Sequence, residues 1–419
     1  MLAHSLVHTY ELSIPIFVSI WLAEFEVIRV AGMEFAVTQA SLGVIVTAGY
    51  GLFGLGALPG GIVADRVGSR RLIGACLFGM GGSFLLLGLA PGLVAVALAL
   101  LVWGAAASVY HPAGLTLISK GVTVRGTGFA YHGAAGNLGI GLGPLITAIL
   151  LLVFDWSTVA MLLAVPALVA GVYAVRAEFD ETAAVDADDS TVDARAGSGV
   201  ESVRAFFAES KRLFVGAFAV VFLITMCSGL YYRSVLTFLP SLLSTFPGFE
   251  PIPLAALLPG VDPSAGRTLN PERYFYAGLL LVGVLGQYTG GKLSDRLPSE
   301  YGIAGVFAAL TVLALAFLPV AEMGLRPLLV FGALFGVTLF MAQPIYQATI
   351  ADYTPVGTRG LSYGYTYLGV FGIGALGGVI AGTILTYADP GTLFLALAGI
   401  AAAATGLSVL LVRRRATGA

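Results

Sequence analysis

Residues 61–71 read GIVADRVGSRR and form a short polar segment between two long apolar stretches. A shorter version, GKLSDR, occupies residues 291–296 and again separates two apolar stretches. In both copies a glycine is followed four residues later by an Asp-Arg pair, and Asp65 and Asp295 are 230 positions apart (295 − 65). Such recurrence over a long distance predicts an internal repeat.

Two further sets of positions recur in the same order, at offsets of 232 and 234: His111-Pro112 with Gln343-Pro344, and Arg125-Gly126 and Tyr131 with Arg359-Gly360 and Tyr365. Three ordered anchors that drift by only four residues indicate a tandem duplication. We therefore predict two related halves, residues 1–175 and 212–419, joined by an acidic linker at 176–211.

The composition excludes a soluble protein. Of the 419 residues, 58% are hydrophobic and 11% are charged, whereas soluble domains carry about 25% charged residues. The net charge of −2 argues against a nucleic-acid partner, which requires a basic surface. The chain must therefore use the lipid bilayer as its solvent.

Apolar runs of about 20 residues, the length that crosses a bilayer, recur along the whole chain. We predict an all-α integral membrane protein of two pseudo-symmetric six-helix bundles, with spans at 5–24, 39–61, 71–90, 92–115, 126–153, 156–175, 212–244, 273–294, 301–321, 326–350, 360–386 and 389–412. Sixteen of the 21 basic residues fall on the side that carries both termini, four fall on the other side, and Arg233 lies within a span. This asymmetry predicts that both termini are cytoplasmic, in a multi-pass protein of the cell membrane.

The segment 61–71 resembles the signature loop of the major facilitator superfamily, with Ser69 at a position where the family prefers a basic residue. The resemblance implies a twelve-helix transporter whose loop latches the two halves when the cytoplasmic side is closed. The residues that carry this gating motif are Gly61, Asp65, Arg66, Gly68, Arg70 and Arg71, with Asp295 and Arg296 in the second copy.

A narrower resemblance links the chain to the fosmidomycin-resistance branch of that superfamily. It is carried by HTYE at 8–11 with Pro15, SVYHP at 108–112, the glycine-rich segment 136–144 and YRSVLTFLP at 232–240. This resemblance implies a proton-driven exporter of small, often anionic or drug-like molecules. The fifth-span segment ends in Thr147 and Ala148, where the antiporter motif has two glycines.

Glu11 is the most informative polar residue within the spans, because an ionisable group inside a bilayer is costly and is retained for function. His4, His8 and Glu11 have the spacing of one helix face. We predict proton coupling at Glu11 and His8, with His132 in the fifth span as a further proton or substrate ligand. The alternative is that the first span begins later and these groups lie at headgroup depth.

Arg233 is the basic residue well inside a span, where it would complement an anionic substrate or a carboxylate such as Glu11. Other uncharged or weakly basic side chains would line the same cavity. We predict a substrate-binding set of Arg233, Tyr131, His132, Asn137, His111, Tyr232, Gln287, Gln343 and Tyr346. The alternatives are interhelical hydrogen bonds that fix packing and, for Arg233, snorkelling to the surface. The glycines between 364 and 378 predict close helix packing.

Together these features predict a secondary active transporter that works by alternating access, with proton-coupled efflux of a small organic anion or drug-like compound as the leading function. Two alternatives stay open: a proton- or sodium-coupled importer of a small metabolite, and a non-transporting membrane sensor. The sequence contains no metal-ligand cluster, nucleophile elbow or nucleotide loop, so we predict neither an enzyme nor a metal or cofactor site. The fold is expected to function as a monomer.

Overall fold

A computed structural model of the chain describes residues 1–184, 203–259, 262, 266–355 and 359–417. Long helices dominate these residues, as the runs of apolar residues predict. A helix satisfies all of its backbone hydrogen bonds internally, which is the condition for crossing a bilayer.

The N-terminal half begins with α1 and continues through seven further helices, with a short β-hairpin after α1. The helices are α1 Leu2–Glu24, α2 Gln39–Leu55, α3 Ala57–Val67, α4 Ser69–Gly88, α5 Leu93–Ser108, α6 Tyr110–Gly121, α7 Arg125–Leu150 and α8 Trp156–Arg176. The antiparallel hairpin consists of β1 Val27–Val30 and β2 Met33–Ala36, with Val27 opposite Ala36.

The C-terminal half repeats this pattern after an amphipathic helix. Its helices are α9 Val203–Phe214, α10 Phe218–Leu243, α11 Leu254–Leu257, α12 Pro271–Ser294, α13 Ser299–Glu322, α14 Leu325–Tyr353, α15 Arg359–Tyr367, α16 Leu376–Tyr387 and α17 Pro390–Thr417. A π-helical segment, Leu368–Ile373, connects α15 to α16. Two short strands, β3 Ile252–Pro253 and β4 Thr268–Leu269, pair in the loop before α12.

Within the described ranges, eleven helical stretches are long and apolar enough to cross a membrane. The one remaining predicted span, the eighth at 273–294, coincides with α12, which has a sufficient length of 24 residues. This helix is more polar than the others because it contains Glu272, Arg273, Gln287 and Lys292. The predicted all-α membrane fold is therefore confirmed.

The pseudo-symmetry of the two halves is visible in how the helices pack. In the N-terminal half, α1 packs on α7, α2 on α5 and α4 on α8. The equivalent helices of the C-terminal half make the same pairs: α10 packs on α16, α12 on α14 and α13 on α17. The halves meet where α2 packs on α16 and where α7 packs on α12. These two contacts are equivalent, because α2 corresponds to α12 and α7 to α16 in the repeat.

Several predicted spans differ in detail from the observed helices. The second span breaks at Gly56 into α2 and α3, and the fourth breaks at Val109 into α5 and α6. The seventh span begins at Phe218 rather than 212, because residues up to Phe214 belong to the separate amphipathic helix α9. The predicted linker 176–211 lies partly outside the described residues.

Candidate substrate cavity

A cavity of about 630 Å³ lies between the two halves and is lined by both. It extends to Ser119, near the end of α6, and to Phe129, one turn into α7. We call this end of the molecule, where α3 ends and α4 begins, the motif side. At the opposite end the halves are joined by hydrogen bonds from Ala40 N to Thr386 Oγ1 (2.8 Å) and from the Tyr274 hydroxyl to Ala148 O (3.3 Å). The cavity therefore extends toward the motif side.

Most of the predicted site residues lie on the wall of this cavity. They are Glu11, His8, His132, Asn137, His111, Tyr232, Gln287, Gln343 and Tyr346. They come from six different helices, α1, α6, α7, α10, α12 and α14, so the fold has collected residues that are up to 338 positions apart (346 − 8). The predicted site thus forms one continuous surface.

Tyr131 does not belong to this surface, and its prediction as a substrate ligand is wrong. Its side chain is 65% exposed on the outer face of α7, whereas the neighbouring His132 is 6% exposed. On α7 the cavity is lined by Phe129, His132, Gly133, Gly136, Asn137 and Ile140. Tyr131 is two residues, about 200° of helix rotation, from both Phe129 and Gly133, so it points away from them.

Arg233 lies behind the cavity wall rather than on it. The residue is 2% exposed, and its Nη2 donates a hydrogen bond of 2.5 Å to Glu11 Oε1. The guanidinium carbon also lies 3.6 Å from the centre of the Tyr50 ring, within the range of a cation–π interaction. Of the two partners predicted for Arg233, the structure shows the carboxylate.

This ion pair joins the two halves at the level of the cavity. Glu11 is 1% exposed and belongs to α1, while Arg233 belongs to α10. The Tyr50 hydroxyl donates to the backbone carbonyl of Glu11 at 2.7 Å, which fixes this turn of α1 against α2. Because removing one member of a buried ion pair leaves an uncompensated charge, the pair stabilises the halves only while both charges are present.

A chain of hydrogen bonds leads from Glu11 along one face of α1. Glu11 Oε2 lies 2.7 Å from His8 Nδ1, and His8 Nε2 lies 3.1 Å from His4 Nε2. His4 Nδ1 in turn lies 2.7 Å from the backbone carbonyl oxygen of His132 on α7. Gly136 makes this approach possible, because a Cβ at that position would lie 2.5 Å from the His4 ring. The predicted spacing 4–8–11 therefore forms a connected network.

All four histidines of the chain meet at this point. The His4 ring stacks on His132 with centroids 3.8 Å apart and lies 4.8 Å from His8 and 5.2 Å from His111. The metal-binding atoms of His4, His8 and His111 lie within 4.8 Å of one another, a spacing that a metal ion could bridge. Both ring nitrogens of His4 and of His8 already take part in hydrogen bonds, so the arrangement is explained by a hydrogen-bonded proton network without a metal ion.

The C-terminal half supplies amides, phenols and aromatic rings to the opposite wall. Gln287 Nε2 donates to Gln343 Oε1 at 3.0 Å, which joins α12 to α14 beside the cavity. Tyr363, Thr366, Tyr367 and Phe371, none of which was predicted, also line the cavity.

These four residues belong to α15 and to the π-helical segment that follows it. The glycines of this region predicted close helix packing. The polar and aromatic side chains are spaced three and four residues apart, which indicates that they share another face of the helix. π-Helical segments occur frequently at functional sites, because the extra residue changes the direction of the following side chains.

The gating motif lies at the motif-side end of the N-terminal half. Gly68 has a φ of +89°, which glycine adopts without strain, and the turn directs the start of α4 toward the linker. Glu181 accepts hydrogen bonds from Ser69 N (2.7 Å) and Arg70 N (3.2 Å), so a linker carboxylate caps α4. Arg70 Nη1 donates to Ala177 O at 2.6 Å.

The other motif residues are less constrained by contacts. Arg66 is exposed near the end of α3, and Asp295 and Arg296 are exposed at the end of α12. Gly61 and Asp65 belong to α3, and the placement of the Asp65 side chain lies outside what the structure describes. The predicted gating role of these residues stays a prediction.

The fold and the central cavity define a multi-pass membrane transporter built from two related bundles. The family model described as Major Facilitator Superfamily matches residues 9–369. The chain belongs to this superfamily and is a transporter rather than an enzyme. No curated protein matches the chain.

Solved structures of similar fold include several transporters. The nucleoside transporter NupG is 15% identical with a TM-score of 0.68, and the match covers 98% of this chain and 97% of NupG. A bacterial homolog of the human lysosomal transporter Spinster, in an inward-facing and unoccupied conformation, is 14% identical with a TM-score of 0.67, covering 98% and 94%. The E. coli xylose transporter XylE, in an inward-open conformation, is 14% identical with a TM-score of 0.67. The match covers 97% of this chain and 93% of XylE. At such identities the likeness concerns the fold alone.

Proposed function

We propose that this transporter exports a small drug-like organic compound across the cell membrane in exchange for protons, with both termini in the cytoplasm. The observation that carries the proposal is the buried Glu11–Arg233 pair, which joins the halves and connects through His8 to the cavity. A carboxylate that can lose its charge by binding a proton, at the contact between two moving halves, couples protonation to their relative position.

Antiport requires that the proton and the substrate compete for the same groups. Glu11 and His8 line the cavity, so once the hydrogen bond between them opens, a substrate that donates hydrogen bonds can reach the atoms that also bind the proton. When such a substrate occupies these acceptors the proton leaves, and when the proton returns the substrate is released. We assign the coupling role to Glu11 and His8, with His132 anchoring the network.

The remaining wall residues would orient the substrate. His111, His132 and Asn137 face it from the N-terminal half, and Tyr232, Gln287, Gln343 and Tyr346 face it from the C-terminal half. Amides and phenols both donate and accept hydrogen bonds, so they recognise the polar but uncharged groups of a substrate. Because Arg233 is paired with Glu11 behind the wall, this geometry favours a neutral or cationic substrate over the anion expected from the sequence.

The test is a transport assay in liposomes that contain the purified protein and a pH-sensitive dye. The panel comprises a lipophilic cation, a neutral antibiotic, an aromatic carboxylate, a nucleoside and a pentose, the last two because nucleoside and xylose transporters share the fold. We expect at least one neutral or cationic compound to drive opposite proton movement. Glu11→Gln should reduce that movement by at least about tenfold, a modest loss for a proton-transfer group.

The matched control is Glu34→Gln, the same chemical change in the exposed β-hairpin, where Glu34 pairs with Arg29. This variant should transport like the unmodified protein. Substrate-driven proton movement that is equal in all three proteins would contradict the role of Glu11. If no compound moves protons and sodium drives uptake, the proposal of proton exchange is wrong.

A second function, proton-coupled import of an anion, is favoured by one observation. Arg233 Nη1 is buried and has no hydrogen-bond partner among the described residues. If a proton neutralises Glu11, the guanidinium becomes available to an anion, so proton and anion would bind together. The same assay separates the two functions, because a symported anion moves protons in its own direction.

The proposed orientation has a separate test. Single cysteines are introduced at Arg66 or at Glu34, which lie at opposite ends of the fold, after the native Cys76 and Cys227 have been replaced by alanine. In intact cells an impermeant thiol reagent should label the Glu34 position and spare the Arg66 position. The reverse pattern would contradict cytoplasmic termini.

A further inference from the structure

The number of hydrogens in the hydrogen-bond chain from His132 to Glu11 can be counted from its donors and acceptors. The carbonyl oxygen of His132 only accepts, so His4 Nδ1 at 2.7 Å must carry a hydrogen. Between His4 Nε2 and His8 Nε2, 3.1 Å apart, one nitrogen carries a hydrogen and the other does not. The contact of 2.7 Å between His8 Nδ1 and Glu11 Oε2 also needs one hydrogen. Three contacts therefore require three hydrogens.

Neutral histidines and an ionised Glu11 cannot supply these three hydrogens. Each neutral imidazole carries one hydrogen and a carboxylate carries none, so the trio holds only two. The third is one extra proton, and it has three possible positions: on Glu11, on His8 as an imidazolium, or on His4 as an imidazolium. In every case the trio of His4, His8 and Glu11 has a net charge of zero, and Arg233 adds one positive charge.

We infer that this geometry is the proton-loaded state of the transporter, in which one proton is shared along His4, His8 and Glu11. The inference rests on the proposed proton coupling and adds His4 to the coupling residues. Arg233 donates to Glu11 Oε1, so the same carboxylate takes part in both the ion pair between the halves and the shared proton.

Loss of the proton must change the geometry. If His8 keeps its hydrogen on Nε2, its bare Nδ1 faces the carboxylate at 2.7 Å. If the hydrogen moves to Nδ1, the two bare Nε2 atoms of His8 and His4 face each other at 3.1 Å. If His4 also moves its hydrogen to Nε2, its bare Nδ1 faces the carbonyl oxygen of His132 at 2.7 Å. In each case two lone pairs oppose each other, so one of the three contacts must open. Opening this contact would release α1, which contacts both halves, so loss of one proton would allow the helix to move.

Other ionisable groups surround the network and are separate from the chain of three hydrogens. Those that face it from the neighbouring helices are Tyr50 of α2, Tyr110 and His111 of α6, His132 of α7, Tyr232 and Arg233 of α10, Tyr276 of α12, Tyr346 of α14 and Tyr367 of α15, together with the α-amino group of Met1. Tyr50 donates to the backbone carbonyl of Glu11 and not to its carboxylate. The His132 side chain stacks on His4 and joins the network only through its backbone carbonyl.

The experiment is ¹⁵N NMR of the full-length protein, labelled at histidine and held in lipid nanodiscs, over a range of pH. Only four residues carry the label, and His→Gln variants at each position assign them. We expect the signals of His4 and His8 to move in one common step as the pH rises, with a summed loss of one proton. Two separate steps, each of a full proton, would overturn the shared proton.

Two variants sharpen the result. In Glu11→Gln the side-chain amide can donate to His8 Nδ1, which completes the chain without an extra proton, so the common step should disappear. In His132→Gln the backbone carbonyl is retained, so the common step should persist. A common step that survives in Glu11→Gln, or that is lost in His132→Gln in a correctly folded protein, overturns the assignment.

Proton movement in liposomes separates this inference from the proposed function. His4→Gln should lower substrate-driven proton movement by at least about tenfold. If transport in His4→Gln equals that of the unmodified protein, His4 is not a coupling residue and the coupling at Glu11 still stands. If the common NMR step is present but no substrate moves protons, the network is retained and the proposed antiport is wrong.

Discussion

The two halves of this transporter have the same helix packing but present opposite chemistry to the cavity. The wall of the N-terminal half carries ionisable groups: His4, His8, Glu11, His111 and His132. The wall of the C-terminal half carries amides, phenols and aromatic rings, with Gln287, Gln343, Tyr346, Tyr367 and Phe371.

The repeat shows how this difference arose at one pair of positions, because His111 and Gln343 are equivalent and both precede a proline. At the cavity, one half now carries groups that titrate and the other carries groups that only form hydrogen bonds. The comparison predicts that protons are handled by the N-terminal half alone, whereas both halves recognise the substrate.

The largest expected effect comes from breaking the charge pair that connects the halves. Arg233→Ala leaves Glu11 buried without its counter-ion, which typically costs about 3–5 kcal/mol of unfolding free energy. The double variant Glu11→Gln with Arg233→Gln removes both charges and should recover most of that loss without recovering transport. Unfolding in mild detergent measures the first effect and the liposome assay the second. Equal stability of the single and double variants would show that the pair is not coupled.

Exchanging the equivalent residues tests whether the halves have separate tasks. His111→Gln should weaken substrate binding by up to about tenfold, the value of one hydrogen bond, while protons remain coupled. Gln343→His should weaken binding similarly, because it removes the bond to Gln287. If the halves are specialised, the double exchange is no better than either single change. Recovery of binding in the double variant would indicate interchangeable walls.

The caps of the equivalent helices α4 and α13 should differ in strength. The first turn of α4 has no acidic residue, so Glu181 of the linker supplies its negative charge, and Glu181→Gln should cost about 0.5–1 kcal/mol. In α13 the first turn contains Glu300, so Asp352→Asn, which weakens the 2.6 Å bond from Ser299, should cost less. Urea or thermal unfolding of both variants measures the difference. A larger loss in Asp352→Asn would reverse this comparison.

The two repeated tyrosines should differ, and the smallest effect of all is expected at Tyr131. The Tyr365 hydroxyl bonds to Ser210 Oγ at 2.9 Å and ties α9 to α15, so Tyr365→Phe should cost about 0.5–1.5 kcal/mol. Tyr131 is exposed on the outer face of α7. Tyr131→Phe should leave the free energy of unfolding unchanged and the substrate affinity within twofold of the unmodified protein. Unfolding and binding measurements on the same samples test both statements. A clear loss of affinity in Tyr131→Phe would return this residue to the site.

Much of the molecule could be predicted from the chain alone. Length and apolarity of a segment decide whether it crosses a bilayer, and both are local properties, so the spans and the all-α fold were confirmed. The costly position of Glu11 in an apolar run, and its spacing from His4 and His8, pointed to the network before any partner was known. The helix breaks at Gly56 and Val109 carried no comparable local signal.

The tertiary structure decided which of these side chains meet. Glu11 and Arg233 are 222 positions apart, and only the packing of α1 against α10 brings them to 2.5 Å. The carbonyl of His132 reaches His4 because Gly136 leaves room between α1 and α7. Hydropathy and repeats follow from the order of residues, whereas the direction of a side chain at an interface depends on how neighbouring helices are rotated and spaced. The sequence therefore determined the class of protein and its candidate residues, and the packing determined the proton network they form.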